Sequence, residues 1–405
     1  MSEITARAAL RDAAWGLVAG IALGFLGWGE GRVPVLALAL PLLIVFSRSR
    51  LQAFSVAAGY VLGMLRYSPS FVASWFDNNL VVGLAVVLAF ALITGAVWSI
   101  GWSGSRRLHV RVVAIAAAWL LALVLNIGVP GHPLTAIGYV LPGWGWAGVA
   151  VAIAFPGLAL VLSHLLRGQR SRRAAAGALI ATLSLAEIAL YQPPPNGLAR
   201  GIQAERTHWG MLKGEDDALT RMQRMGAAKK DQLAAAVVWP ESIVGRYDPA
   251  MYQVLDLEVL RESRRAGRTQ IIGMDIPMQG NQLLNAAVAF YPDGRTATAV
   301  ARQPAPLSLW RPWRSTNTFV ADWTAHNILN VGQGDRAAVI FCYEEYMPVL
   351  YLLNEALDAP TIYLAVTNTW AAHAPGAAAI QTWHSLGMAR LFGRPYVKAE
   401  NRPAA

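Results

Sequence analysis

The chain has 405 residues, 55% of them hydrophobic and 14% charged, with 36 Gly, 15 Trp and a mean hydropathy of +0.38. An average soluble protein carries about 25% charged residues; this balance excludes a disordered chain, a coiled coil and a small disulfide scaffold, and a single cysteine excludes an internal disulfide. The net charge of +10 does not point to nucleic acid, because residues 1–200 hold fourteen Arg, no Lys and five acids, whereas the bases and acids of residues 201–405 nearly cancel.

Residues 1–192 read as apolar runs separated by short Arg-bearing loops. The runs are Asp12–Trp28, Val33–Phe46, Leu51–Leu65, Leu80–Trp98, Val110–Val129, Trp144–Leu166 and Ala174–Tyr191. A spanning helix needs roughly 20 apolar residues. Seven spans are expected, with six as the alternative, since the second and third runs are short and Pro34 and Pro41 mark the second. Alternate loops carry Arg7 and Arg11, then Arg48 and Arg50, then Arg106, Arg107 and Arg111, then Arg167, Arg170, Arg172 and Arg173. The intervening loops hold only Arg32 and Arg66, so the split is eleven to two. Positive charge marks the cytoplasmic side. The expected topology has the N-terminus in the cytoplasm and the chain after Tyr191 on the opposite side. The lipid bilayer is therefore the first expected partner, and no direct contact with nucleic acid is expected.

Gln192–Asn196 reads QPPPN, a linker signal, because three prolines end the last helix. The expected division is a transmembrane domain over 1–191, a linker over 192–200 and a second domain over 201–405. Beyond the linker, apolar runs shorten to strand length at Ala234–Trp239, Thr269–Gly273, Ala286–Tyr291, Ala337–Cys342 and Thr361–Val366. Helical stretches lie between them at Glu215–Met225, Met251–Arg265 and Met347–Leu357. This alternation predicts a layered α/β domain. Pro292-Asp293-Gly294 predicts a hairpin joining Ala286–Tyr291 to Thr296–Val300.

Two residues stand where strands should end, which is where sites gather in α/β folds. Cys342 follows Ala337-Ala-Val-Ile-Phe, so it reads either as a nucleophile on a rigid element or as a small buried hydrophobe. Glu241 follows Val237-Val238-Trp239-Pro240, and reads either as a general base for a thiol or as a solvated loop acid. His373 and His384 follow the Thr361–Val366 run and offer a Cys–His alternative. The seven histidines and one cysteine show no metal-ligand spacing, and no cofactor is implied. Trp310, Trp313, Phe319 and Trp323, with Leu307, Leu309 and Arg311, read equally as a lid at the membrane interface or as core.

The motifs WPES at Trp239–Ser242 and CYEEYMP at Cys342–Pro348 resemble the nitrilase (carbon–nitrogen hydrolase) superfamily. With the multi-span N-terminal half they resemble its apolipoprotein N-acyltransferase branch. The resemblance takes in Asn285 and the Pro292-Asp293-Gly294 hairpin, Thr367-Asn368, and Met388-Ala389-Arg390 with Gly393-Arg394-Pro395. It implies a four-layer α-β-β-α sandwich behind a multi-span α-helical membrane domain, in the inner membrane of a bacterium, with the sandwich on the periplasmic side. It also implies Glu241 as base, Cys342 as nucleophile, and Tyr343, Glu344 and Asn368 as binding residues. The family lysine falls on Arg302 when counted without gaps from Gly294, and on Ala301 if the register slips by one. No lysine lies between Glu241 and Cys342. The family's PFGEY stretch is replaced by Ala305-Pro-Leu-Ser-Leu-Trp-Arg-Pro-Trp, and relative to the family the domain is expected to be shortened at its C-terminus.

The Arg302–Trp313 stretch resembles a shorter branch that serves plasmid conjugal transfer. Two functions follow from the resemblance. One is cysteine-dependent acyl transfer, or amide or ester hydrolysis through a thioester, on a phospholipid or lipoprotein substrate. The other is a non-catalytic membrane component whose degenerate nitrilase domain binds other conjugation proteins.

Overall fold

The structure, a computed structural model, describes residues 3–28, 32–125 and 129–404. It divides into two compact units. The first comprises Met1–Pro193, Tyr346–Val349 and Ala374–Gly393, and the second Pro194–Glu345, Leu350–His373 and Arg394–Ala405.

Among the described residues each of the seven apolar runs of the first unit forms a helix. They form α1 (Glu3–Gly27), a 3₁₀ turn (Pro34–Leu38) leading into α2 (Ala39–Val45), and α3 (Arg50–Met64), followed by the short α4 (Ser68–Ala73). Next come α5 (Leu80–Ser99), α6 (Leu108–Leu125), the short α7 (Pro133–Ile137), α8 (Gly145–Leu165) and α9 (Arg170–Leu190). Among the described residues five helices are long and apolar enough to cross a membrane: Arg7–Gly27, Leu80–Ser99, Leu108–Leu125, Gly145–Leu165 and Arg170–Leu190. The second and third runs fall short of that length. Pro34 and Pro41 hold the second to a 3₁₀ turn and seven helical residues. The third has fifteen, about 22 Å at 1.5 Å per residue, against roughly 30 Å of hydrocarbon.

α1 and α3 pack backbone to backbone. A Cβ at Gly20 or Gly24 would strike the carbonyls of Val56 or Tyr60, and one at Gly59 or Gly63 those of Leu17 or Ile21. Small residues at four-residue spacing permit this approach. A late helix of the chain, with the range Pro375–Phe392, belongs to this unit although in sequence it lies between two strands of the second unit. Gly387 meets the Thr135 backbone, Tyr139 Oη donates to Trp383 O at 2.6 Å, and Gly131 N donates to His384 Nε2 at 2.5 Å.

The second unit holds two five-stranded sheets. The first consists of β1 (Ile202–Ala204), β3 (Ala236–Val238), β4 (Thr269–Pro277), β5 (Leu283–Phe290) and β6 (Thr296–Val300), in the order β1-β3-β4-β5-β6. The second consists of β2 (Arg206–Thr207), β7 (Ile328–Val331), β8 (Asp335–Phe341), β9 (Ile362–Asn368) and β10 (Tyr396–Asn401), in the order β2-β10-β9-β8-β7. β5 and β6 form the expected hairpin, closed by Tyr291 N to Arg295 O at 2.9 Å with Gly294 at φ +87.

The period-two alternation of the strands builds the layers. Val238, Ile271, Ala287 and Ala299 of the first sheet meet Val339, Phe341, Leu364, Val366 and Ala399 of the second in one apolar core. The opposite face of the first sheet, with Val237, Ile272, Met274 and Val288, is covered by helices. These are α10 (Glu215–Ala227) and α11 (Pro249–Leu255), which runs through a π turn (Asp256–Leu260) into α12 (Arg261–Arg265). Beside the second sheet Tyr351 of α13 (Pro348–Leu357) packs edge-on to Tyr363 of β9, ring centroids 5.0 Å apart. The result is the expected α-β-β-α sandwich.

Candidate active site

β3 ends at Val238, and Pro240 has no N–H with which to continue the ladder. The loop that follows lies along β4 and is pinned to it. Ile243 N donates to Gly273 O at 3.0 Å, Asp275 N to Gly245 O at 2.9 Å and Tyr247 N to Asp275 O at 2.7 Å. The loop backbone approaches so closely that a Cβ on Gly273 would lie 2.6 Å from Glu241 Cα. These contacts hold Glu241 at the strand end with 6% of its surface exposed.

From the facing sheet, β8 ends at Phe341 and turns at once into a 3₁₀ turn, Cys342–Tyr346. The Cys342 thiol hydrogen-bonds the Glu241 carboxyl and lies 3.5 Å from Asn368 O. Asn368, at the end of β9, donates from Nδ2 to Glu241 O at 3.2 Å, and Asn401 Nδ2 holds its Oδ1 at 3.0 Å. Asn285 of β5 donates from Nδ2 to Glu241 Oε1. Residues from five strands or strand ends and both sheets thus converge. Among the described residues, Asn285 Oδ1 is a buried acceptor without a partner.

Burial governs the electrostatics. Glu241 is pushed up to about 8, first by desolvation and then by the charges of Asp275 and Glu344, against the hydrogen bonds from Asn285 and Cys342. Glu344 is pushed up to about 7 by burial, opposed by the N–H groups of Phe341 and Gln303, each 3.0 Å away, and by the charge of Arg302. Burial also raises the Tyr343 phenol.

Arg302 is buried, but its guanidinium turns elsewhere. Nε donates to Ala325 O at 2.7 Å, Nη1 to Asn354 Oδ1 and Nη2 to Asp358 Oδ2 at 3.2 Å. Among the described residues these guanidinium bonds go to Ala325, Asn354 and Asp358, not to Glu241 or Cys342. Strand alternation is the reason: Ala299 and Ala301 belong to the inter-sheet core, so Arg302 emerges on the other side. The register-slipped alternative, Ala301, is the residue that faces inward.

The structure therefore brings Glu241, Cys342, Asn368 and Glu344 together, and leaves the Arg302 guanidinium outside the pair. It adds Asn285, Asp275 and Ser242. Asp275 and Asn285 are register partners across β4 and β5, so an acid and an amide on the inward positions of two neighbouring strands were the available signal. The aromatic segment divides. Phe319 is buried, Trp323 Nε1 donates to Gln303 Oε1 at 3.0 Å, and Trp313 is 64% exposed. His384 accepts from Gly131 in the first unit, and His373 is exposed.

The arrangement sets a thiol beside a buried carboxyl, and the Asn285 and Asn368 side-chain amides bond the residue that carries the carboxyl. No family model matches the chain. Among solved structures it is similar to an amidase of the nitrilase superfamily from Nesterenkonia sp., at 16% identity and a TM-score of 0.39 over 52% of this chain and 80% of that one. It is also similar to a carbon–nitrogen hydrolase from Helicobacter pylori, at 12% identity and a TM-score of 0.36 over 50% and 72%. Among curated proteins it is 28% identical to the probable conjugal transfer protein TraB of Sinorhizobium fredii, over 95% of this chain and 97% of the relative. It is 31% identical to the conjugal transfer protein TraB of Agrobacterium fabrum, over 94% of this chain and 91% of the relative. Identity at that level along nearly the full length of both proteins shows that the chain belongs to the TraB family of conjugal transfer proteins.

Proposed function

We propose that the chain is a membrane-anchored component of plasmid conjugal transfer whose α/β unit performs cysteine-dependent acyl transfer, or amide or ester hydrolysis. The observation that carries this reading is the hydrogen bond between Cys342 and Glu241, made between the two sheets with the Glu241 side chain buried. Glu241 takes the thiol proton as Cys342 Sγ attacks the substrate carbonyl. The tetrahedral intermediate collapses with loss of the alcohol or amine, which receives that proton from Glu241, and a thioester remains. An acceptor amine or water then attacks the thioester, gives its proton to Glu241, and the thiolate leaves and is reprotonated. The spanning-length helices favour a lipid or lipid-modified substrate. The eleven-to-two arginine split supports a cytoplasmic N-terminus, with the α/β unit outside the cytoplasm.

Intact mass spectrometry of the purified full chain after incubation with phospholipid tests this. An acyl adduct that is lost in Cys342→Ala is the expected result. Absence of any adduct favours the second reading, a non-catalytic binding module, for which the engagement of Arg302 by Asp358 and Asn354 speaks. Without that charge, oxyanion stabilisation rests on neutral donors alone.

A further inference from the structure

Glu241 sits beside a second acid that the nucleophile–base scheme does not use. Asp275 Oδ1 accepts a hydrogen bond of 2.6 Å from Ser242 Oγ, the residue next to Glu241. Ser242 has φ +47, the left-handed region that a residue with a Cβ rarely adopts. A strained conformation persists where its surroundings over-determine it. Here they do: the side-chain bond to Asp275 is backed by the backbone bonds of Ile243, Asp275 and Tyr247 on either side. Asp275 also faces Asn285 across the ladder, and Asn285 grips Glu241 from the other flank.

We propose that Asp275 is the positioning residue of this site: through Ser242 it fixes Glu241 against Cys342, and its negative charge retains the proton on Glu241. The proposal rests on the reading of Glu241 and Cys342 as a working pair.

The groups that face Glu241 are Asp275 from β4, Asn285 from β5, and Glu344 and Cys342 from the turn after β8. Both charged ones are acids, and Arg302, whose charge acts on Glu344, is bound to Asp358. Like charges in one pocket do not ionise together easily. Asp275, pushed up to about 6 by burial against the opposing hydrogen bond from the Ser242 hydroxyl, ionises before Glu241 does at about 8. Between those values the pair carries a single charge, on Asp275, and Glu241 is a carboxylic acid. It becomes a base only when the second proton leaves.

The test uses Cys342, the single cysteine, in the full-length protein. The rate of iodoacetamide labelling is followed against pH in the unsubstituted chain, in Asp275→Asn and in Ser242→Gly. Asp275→Asn keeps a hydrogen-bonding side chain and removes the charge, so the inflection is expected to move to lower pH by about one unit. Ser242→Gly tolerates φ +47 without strain and frees Asp275. Its inflection is expected to move in the same direction by less. A purely structural role for Asp275 would lower labelling amplitude or stability and leave the inflection in place. An unmoved inflection in folded Asp275→Asn, or in Ser242→Gly should Asp275→Asn fail to fold, overturns the proposal. Labelling needs no turnover. A shifted inflection without any acyl adduct would sink the catalytic reading and leave this one standing, and an adduct with an unmoved inflection would do the reverse.

Discussion

Glu241 and Cys342 come from opposite sheets of the sandwich, about 100 residues apart in sequence, and meet in a hydrogen bond beneath the amides of Asn285 and Asn368. Glu241 follows the end of β3 by three residues and Cys342 follows β8 directly, so the rigidity of the inter-sheet core sets the separation of the thiol and the carboxyl. Loops of the same length on a looser core would not hold that geometry.

Three acids, Glu241 and Glu344 buried and Asp275 half-buried, make the stability of the second unit fall as pH rises. Glu241, Glu344 and Asp275 all bind their protons more tightly in the folded chain than in the unfolded one. The contribution of each is complete below its unfolded value near 4, and is lost as pH climbs through about 6 to 8. Each pH unit of displacement is worth about 1.4 kcal/mol. Urea unfolding of the full chain at pH 5 and at pH 9 should show the lower midpoint at pH 9. Glu241→Gln, which cannot ionise, should flatten that difference by raising the pH 9 midpoint. A midpoint that rises with pH would mean the acids are not buried as described.

Arg302 acts on stability before it acts on reactivity. Its guanidinium and the Asp358 carboxylate are 1% and 5% exposed, and Asp358 also receives His326 Nδ1 at 2.6 Å. Removing one partner of such a pair leaves a buried charge, at a cost of about 3–5 kcal/mol. Arg302→Ala should therefore lower the unfolding midpoint strongly while the surviving folded fraction keeps the Cys342 labelling inflection. Arg302→Lys should lose part of the stability, because one ammonium cannot reach Ala325, Asn354 and Asp358 as a planar fork does. A large displacement of the inflection in Arg302→Ala would bring the charge back into the site.

Much of this was legible from residue pattern. Among the described residues each of the seven apolar runs forms a helix, five of them of spanning length where seven spans were expected, and the runs beginning at Ala234, Thr269, Ala286, Thr296, Ala337 and Thr361 form strands. Glu241 and Cys342 announced themselves because a proline or a polar run follows a continuous apolar stretch. What escaped has physical reasons. β10 carries Lys398 and Glu400, which interrupt the apolar pattern of a buried strand; they are buried where Lys398 Nζ meets Glu345 Oε1 at 3.1 Å and Arg402 Nε meets Glu400 Oε2 at 2.7 Å. β1 and β2 are three and two residues long, below any periodic signal. Helix Pro375–Phe392 lies among strands in sequence, and nothing local assigns it to the first unit. The inward face of the residue after β6 depended on a one-residue register that composition does not fix.

Gly273 tests the close approach that places the base. A methyl there would press on Pro240 and Glu241, in a loop already tied to β4 at three points. Gly273→Ala should cost about 1–3 kcal/mol by overpacking and reduce Cys342 labelling well beyond what the stability loss explains. Wild-type labelling in a folded Gly273→Ala would show that the Glu241 backbone position is not critical.

In the first unit, Gly20→Val should separate α1 from α3, since the added carbon meets the Val56 backbone and not a side chain that can move. The expected outcome is a lowered thermal midpoint of the full chain in detergent, by a larger margin than Gly177→Val, where nothing stands in the way. Equal midpoints would contradict the packing of the pair.

The most direct measurement is the pH dependence of iodoacetamide labelling at Cys342 in the unsubstituted chain and in Glu241→Gln. If the two residues form a working pair, the rate of the unsubstituted chain rises as Glu241 gives up its proton near pH 8, and Glu241→Gln loses that inflection, retaining only the titration of the thiol itself. Superimposable profiles would show that Glu241 does not govern the thiol and would contradict the account.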